Sequence, residues 1–290
     1  MSPAIIDAHI HLWQRADGDD IWVARKIGGL ARDFTVDDWR HHADACGVAG
    51  AILVQAAHSV AETERALALA AAEPRLVGVV GWADLHSARL ADEVARLRVQ
   101  PKLVGIRPLP PGTFGADWLA DPRTRQGMTT LGKAGVTVDV LVKWTGLASA
   151  RDLLAGLPQV KVVLNHCGRP DTMTGLLEPW ATDLRAVARQ TAATIKLSGL
   201  IERAGIEWTP ATLRPYIETV IDAFGPDRVM FATNWPVLEI GGTYAGWVEV
   251  VRALLDDLGL TAAERADILA GTAGRAYGVA LPASETGSRT

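Results

Sequence analysis

Eight short apolar runs rich in valine and isoleucine recur along the chain, separated by longer alanine- and leucine-rich segments. They read AIIDAHIHLW, AGAILVQA, RLVGVVGWADL, LVGIRPL, GVTVDVLV, KVVLNHCG, ATIKLSG and RVMFATNWPV. Parallel strands covered by helices are buried on both faces, so they are apolar throughout rather than alternating. Eight such units predict an α/β fold, a (β/α)8 barrel, which commonly fills about 250 residues as one domain. Residues 1–281 are expected to form that single domain, with PASETGSRT, residues 282–290, as a polar tail.

Helix starts fall between the runs. Thr35 with Asp38 forms a capping-box pattern before VDDWRHHADAC, and Gly47 follows as a stop. Thr209-Pro210 opens a second helix, and Thr261 with Glu264 precedes the last. Four connections are long enough to suggest function: QRADGDDIWVARKIGGLARDF, PPGTFGAD, LIERAGIEWTP and LEIGGTYAG. Trp13, Trp22, Trp144, Trp208 and Trp235 lie in or beside strand-end segments. Their indoles could cover a sugar-like ring or simply pack loops onto the barrel.

A formal charge of −4 gives no reason to expect nucleic acid or an anionic membrane as partner. Cys46 and Cys167 form no metal-like or redox-like pair, and MSPAIIDAHIHLW lacks the features of a signal peptide, so the expected address is the cytoplasm.

The polar residues gather at the carboxyl ends of the runs, where barrels of this kind place their chemistry. Asp7, His9 and His11 alternate with Ile6, Ala8 and Ile10, so at period two they are expected to share the inward face. They could be proton-transfer groups, metal ligands or hydrogen-bonded core histidines. His166 ends the sixth run and Asn234 the eighth. Asp84 is either a base or a helix cap. Arg107, Lys143 and Arg169 could hold a carboxylate, polarise a carbonyl or form rim ion pairs, and Ser198 is a further polar strand end.

DAHIHLW, VVGWADL, GIRPL, LNHCGRP, IKLSGL and FGPDRVMFATNWPV, in this order over nearly the whole chain, resemble the amidohydrolase-2 family. The likeness is to its sugar-lactonase and 2-pyrone-4,6-dicarboxylate-lactonase branch. The resemblance implies a distorted (β/α)8 barrel of the amidohydrolase type acting on a small-molecule cyclic ester. By position it carries His9, His11, His166 and Asn234 into the site. The family's usual aspartate at the eighth strand is here an amide, which is a poor base and a poorer metal ligand.

The expected activity is hydrolysis of a sugar-acid or carboxylated lactone, with lactone isomerisation or non-catalytic ligand binding as alternatives. His9, His11, His166, Asn234 and Asp84 are the expected catalytic groups. Arg107, Trp13, Trp144, Lys143 and Trp208 are the expected substrate contacts. No cofactor is expected; the alternative is one zinc or other divalent cation on His9 and His11. The oligomeric state is left open.

Overall fold

A computed structural model describes residues 3–18, 28–110, 117–205 and 208–281. Eight parallel strands form one sheet in sequence order: β1 (Ile5–Ile10), β2 (Val48–Val54), β3 (Leu76–Gly81), β4 (Leu103–Ile106), β5 (Thr137–Val140), β6 (Val162–Leu164), β7 (Thr194–Leu197) and β8 (Val229–Phe231). The sheet closes on itself just past β8, where His11 N donates to Trp235 O at 2.7 Å and Asn234 N to His9 O at 2.8 Å. The barrel expected from the eight runs is therefore present.

The strands bury two separate apolar sets. Leu53, Val79, Val138, Leu164, Ile195 and Phe231 face the helices. Ile6, Ala8, Ile52, Val54, Val80, Val163 and Met230 fill the barrel, joined by Ala273 and Tyr277 of the last helix, Thr272–Tyr277. That helix plugs the amino-terminal end, since Thr137 Oγ1 at the start of β5 donates to Ala276 O at 2.9 Å. The plug leaves the carboxyl end of the strands as the open one.

The helix starts follow the sequence signals. Thr35 with Asp38 and Thr261 with Glu264 make reciprocal capping boxes, and Thr209 pairs in the same way with Thr212 ahead of Pro210. Both cysteines are free. Among the described residues no helix is long and apolar enough to cross a membrane.

Candidate active site

The first strand departs from simple alternation. Asp7 pairs with Ala51 and Ile10 with Leu53, so three steps on β1 match two on β2. The extra residue is a bulge, and it reverses which face the following side chains take. Ile6 and Ala8 point into the barrel. His9 and His11 also point inward, whereas Asp7 does not, contrary to the shared face expected from period two. Asp7 instead accepts from Thr233 N at 2.9 Å, Thr233 Oγ1 at 2.6 Å and Tyr244 OH at 2.9 Å. Tyr244 opens the helix Tyr244–Asp257, so Asp7 ties the barrel seam to the outer layer. Burial raises its pKa to about 6 despite these donors.

Behind His9 lies a buried chain of polar groups. Lys196 Nζ, from β7, is 3.2 Å from His9 Nδ1 and 2.7 Å from Asp139 Oδ2 of β5. Asp139 also accepts from Asn165 Nδ2 at 3.0 Å and Tyr277 OH at 2.7 Å. Burial lowers the Lys196 pKa and Asp139 opposes that shift. A lysine ammonium can only donate, so His9 accepts at Nδ1 and carries its proton on Nε2. That nitrogen lies 3.1 Å from His11 Nε2, and His11 Nδ1 lies 2.9 Å from Val54 O. One tautomer set satisfies all three bonds: His9 donates to His11, which donates to the carbonyl.

His166 arrives by a different route. After β6 the chain turns through four successive left-handed residues, His166, Cys167, Gly168 and Arg169, with φ between 49° and 67°. Three of these are not glycine, a strained arrangement of the kind that clusters at functional sites. His166 Nδ1 lies 2.9 Å from Ser198 Oγ. The next residue, Gly199, makes room for the ring, because a Cβ there would sit 2.4 Å from His166 Cβ. The tail of β7 thus supplies the partner and the space for His166. Cys167 is buried on the other side, near Lys196 O, with its thiol pKa pushed up to about 12 by burial.

All three imidazoles are held uncharged. Burial, then the cationic Lys196, depresses His9; burial and then Arg107 depress His166 and bring His11 to about 3. Arg107 is itself buried, donating through Nη2 to Gln55 O at 2.6 Å and Gln55 Oε1 at 3.1 Å. Burial lowers its pKa to about 10, which still leaves it charged at neutral pH. A fixed positive group therefore stands beside neutral rings.

These groups open onto a cavity of about 230 Å³. His11, Arg107, His166 and Asn234 line it together, with Leu141 and Ile240 as apolar wall. Arg169 and Arg203 add further cationic lining. Glu202, in the turn Ile201–Arg203 after β7, lines it too and accepts from Asn234 Nδ2 at 2.6 Å. His9 sits one layer deeper, in contact with His11.

Other expected site residues lie elsewhere. Asp84 is exposed, its carboxylate accepts from His86 N at 2.9 Å, and it lines a separate cavity beside Trp118. It holds the turn after β3 but caps no helix, since the next helix, Leu90–Leu97, starts after Arg89 without a side-chain cap. Trp13 packs edge-on against Phe34 and lines a groove outside the barrel. Trp144 packs on the outer core, Lys143 is exposed, and Trp208 donates to Gly241 O between two loops. None of the five lines the histidine cavity among the described residues, and Trp22 falls outside those residues. Trp235 is fully buried behind Phe34.

Lys196, Asp139, Tyr277, Gln55 and Glu202 were not singled out from the sequence. A signal existed for Lys196 and Asp139: each is a lone charge between apolar residues in a barrel strand, where only the interior can pair it. Glu202 sits in a loop with several other polar residues and had no such mark.

A divalent ion on His9 and His11 would require both Nε2 lone pairs. Lys196 places the His9 proton on Nε2, and Arg107 Nη1 stands 3.4 Å from the same atom. One cation thus stands directly beside the nitrogen a metal would use and a second holds the other nitrogen of the ring, and among the described residues no carboxylate hydrogen-bonds to either ring. Among the described residues no group of three or more His, Cys, Asp or Glu side chains is arranged to hold a metal ion.

The family model described as "Amidohydrolase" matches residues 6–279. An L-fucono-1,5-lactonase of Burkholderia multivorans is 32% identical, over 96% of this chain and 97% of its own length. Another from Burkholderia ambifaria is 28% identical over 97% of each. A crystal structure of an amidohydrolase from Burkholderia multivorans with bound zinc has a TM-score of 0.88 at 32% identity, covering 96% of this chain and 100% of that one.

Proposed function

The chain belongs to the amidohydrolase family, and on that premise we propose that it hydrolyses a sugar-acid lactone of the L-fucono-1,5-lactone kind, adding water to release the open hydroxy acid. The observation that carries this reading is the convergence of neutral imidazoles and a charged guanidinium on one small cavity. Hydrolysis of a cyclic ester builds negative charge on the carbonyl oxygen. Arg107, buried and held by Gln55, is placed to stabilise that charge. Neutral rings can take or give a proton, which imidazolium ions beside Arg107 could not do in both directions. Asn234 orients groups through its amide, and His166 is placed to serve the departing ring oxygen.

The donor set does not fit a resident zinc, because the His9 proton and Arg107 occupy the place of the ion. No step here uses a metal. Lactones are activated by ring strain and a locked ester geometry, which lowers the demand on the nucleophile. Arg169 and Arg203 on the cavity wall favour one second reading, a lactone that bears a carboxylate.

A pH-indicator screen of sugar lactones and carboxylated lactones tests both, with NMR of the product. Acid release from a sugar lactone is the expected result. A rearranged ring without acid release means an isomerase, and binding without turnover means a ligand-binding barrel. Chelation is expected to leave turnover within about twofold. Chelator-sensitive turnover with one stoichiometric zinc overturns the metal-free site.

A further inference from the structure

The eighth-strand position that would supply an acid holds Asn234, yet the cavity is not without a carboxylate. We infer that Glu202, on the loop after β7, is the general base of the reaction, and that Asn234 is the residue that positions it. This rests on the lactonase reading. Among the described residues Glu202 is the only carboxylate lining the cavity that His11, His166 and Arg107 share. Asn234 Nδ2 donates to Glu202 Oε1 at 2.6 Å. The other oxygen, Oε2, is buried and has no hydrogen-bond partner among the described residues. Leaving such an acceptor unpaired is costly, as expected of a group whose partner is the reactant.

The placement of Glu202 is built, not incidental. Its turn packs so tightly on the chain after Ile240 that a Cβ on Gly241 would sit 2.0 Å from Ile201 O. Trp208 clamps the same contact through Gly241 O. Asn234 has φ of 63°, a left-handed conformation that asparagine tolerates well, and its backbone is pinned to His9 O. Two loops are thereby locked so that the amide of one meets the carboxylate of the other. Burial raises the Glu202 pKa above its ordinary value, which suits a base working near neutrality.

In the reaction, Glu202 takes one proton from water as the water oxygen bonds to the carbonyl carbon. The carbonyl electron pair moves to its oxygen beside Arg107. On collapse that pair returns, the ring C–O bond breaks, and the proton passes to the departing oxygen, directly or through His166. The carboxylate is regenerated and the product is the hydroxy acid.

The test uses the lactone identified by the screen. Wild-type turnover comes first, and an enzyme inert to every lactone removes the lactonase reading and the Glu202 role with it. Given turnover, Glu202→Gln should lower kcat by about 100-fold or more with KM changed less than about threefold. Formate should restore Glu202→Ala by about tenfold, a readout that a structural role would not move. Moving the acid back, in the double variant Asn234→Asp with Glu202→Gln, should recover part of the loss. A Glu202→Gln enzyme within about threefold of wild-type kcat overturns the proposal while leaving the lactonase reading intact. So does a Glu202→Ala enzyme indifferent to formate.

Discussion

Lys196 donates to His9 Nδ1 over 3.2 Å, and this bond decides which nitrogen of the first histidine carries its proton. The same ammonium neutralises Asp139, and both side chains are wholly buried. Removing one partner of a buried pair leaves an uncompensated charge, at about 3–5 kcal/mol. Lys196→Met should therefore destabilise the fold by that order in urea denaturation. Adding Asp139→Asn should restore most of the stability without restoring turnover, since His9 would still lack its donor. Equal stability of the single and double variants would break the pairing argument.

Arg107 makes two bonds to Gln55 and lines the cavity. Arg107→Ala should lower kcat/KM by about tenfold or more. Arg107→Lys should not rescue it, because a single ammonium cannot reproduce the planar fork that grips Gln55 while pointing at substrate. Unchanged kinetics in Arg107→Ala would reassign the residue to structure.

Gly199 has φ of 73° and no room for a side chain beside His166. Gly199→Ala should cost about 1–3 kcal/mol and displace the ring enough to lower kcat on the order of 100-fold. Gly205, in the same connection with φ of 75° but open space around it, provides the control. Gly205→Ala carries the backbone strain alone, so its kcat should stay near wild type. Matching losses in the two variants would show that strain, not the contact with His166, is responsible.

The three buried imidazoles set a pH dependence. Each folded pKa lies below the ordinary histidine value, about 3 for His11. As pH falls below about 6.5 the unfolded chain takes up protons the folded chain refuses, so stability declines from there down towards pH 3. Asp7 and Glu202 act oppositely, since their raised values favour the folded state as acid is added. The histidines outnumber them. The urea midpoint should be lower at pH 5 than at pH 7, and His11→Asn should flatten that slope. A midpoint that rises at pH 5 would mean that the two carboxyls dominate.

Much of the fold was legible because parallel barrel strands leave a near-continuous apolar signature, and all eight runs became strands. The caps at Thr35 and Thr261 were legible because a side-chain bond to the third backbone amide needs particular residues at fixed spacing. His11, His166, Asn234 and Arg107 were reachable by their places at strand ends, and they share one cavity. The face of Asp7 was not, because a bulge inserts one residue without any mark in a run of small and apolar side chains. The tryptophans misled for a related reason: an indole in a loop fits a ligand or a barrel wall equally well, and only packing decides. Glu202 lies 32 positions from Asn234, and nothing local ties the two loops together.

The last helix ends in Tyr277, whose hydroxyl completes the chain through Asp139 and Lys196 to His9 near the other end of the sequence. The first histidine therefore has its full electrostatic surroundings only when β5, β7 and this helix have all packed against β1. A barrel whose last helix is undocked lacks the hydroxyl that anchors the base of the relay. Docking of that helix and the electrostatic setting of the first histidine are in this sense one event.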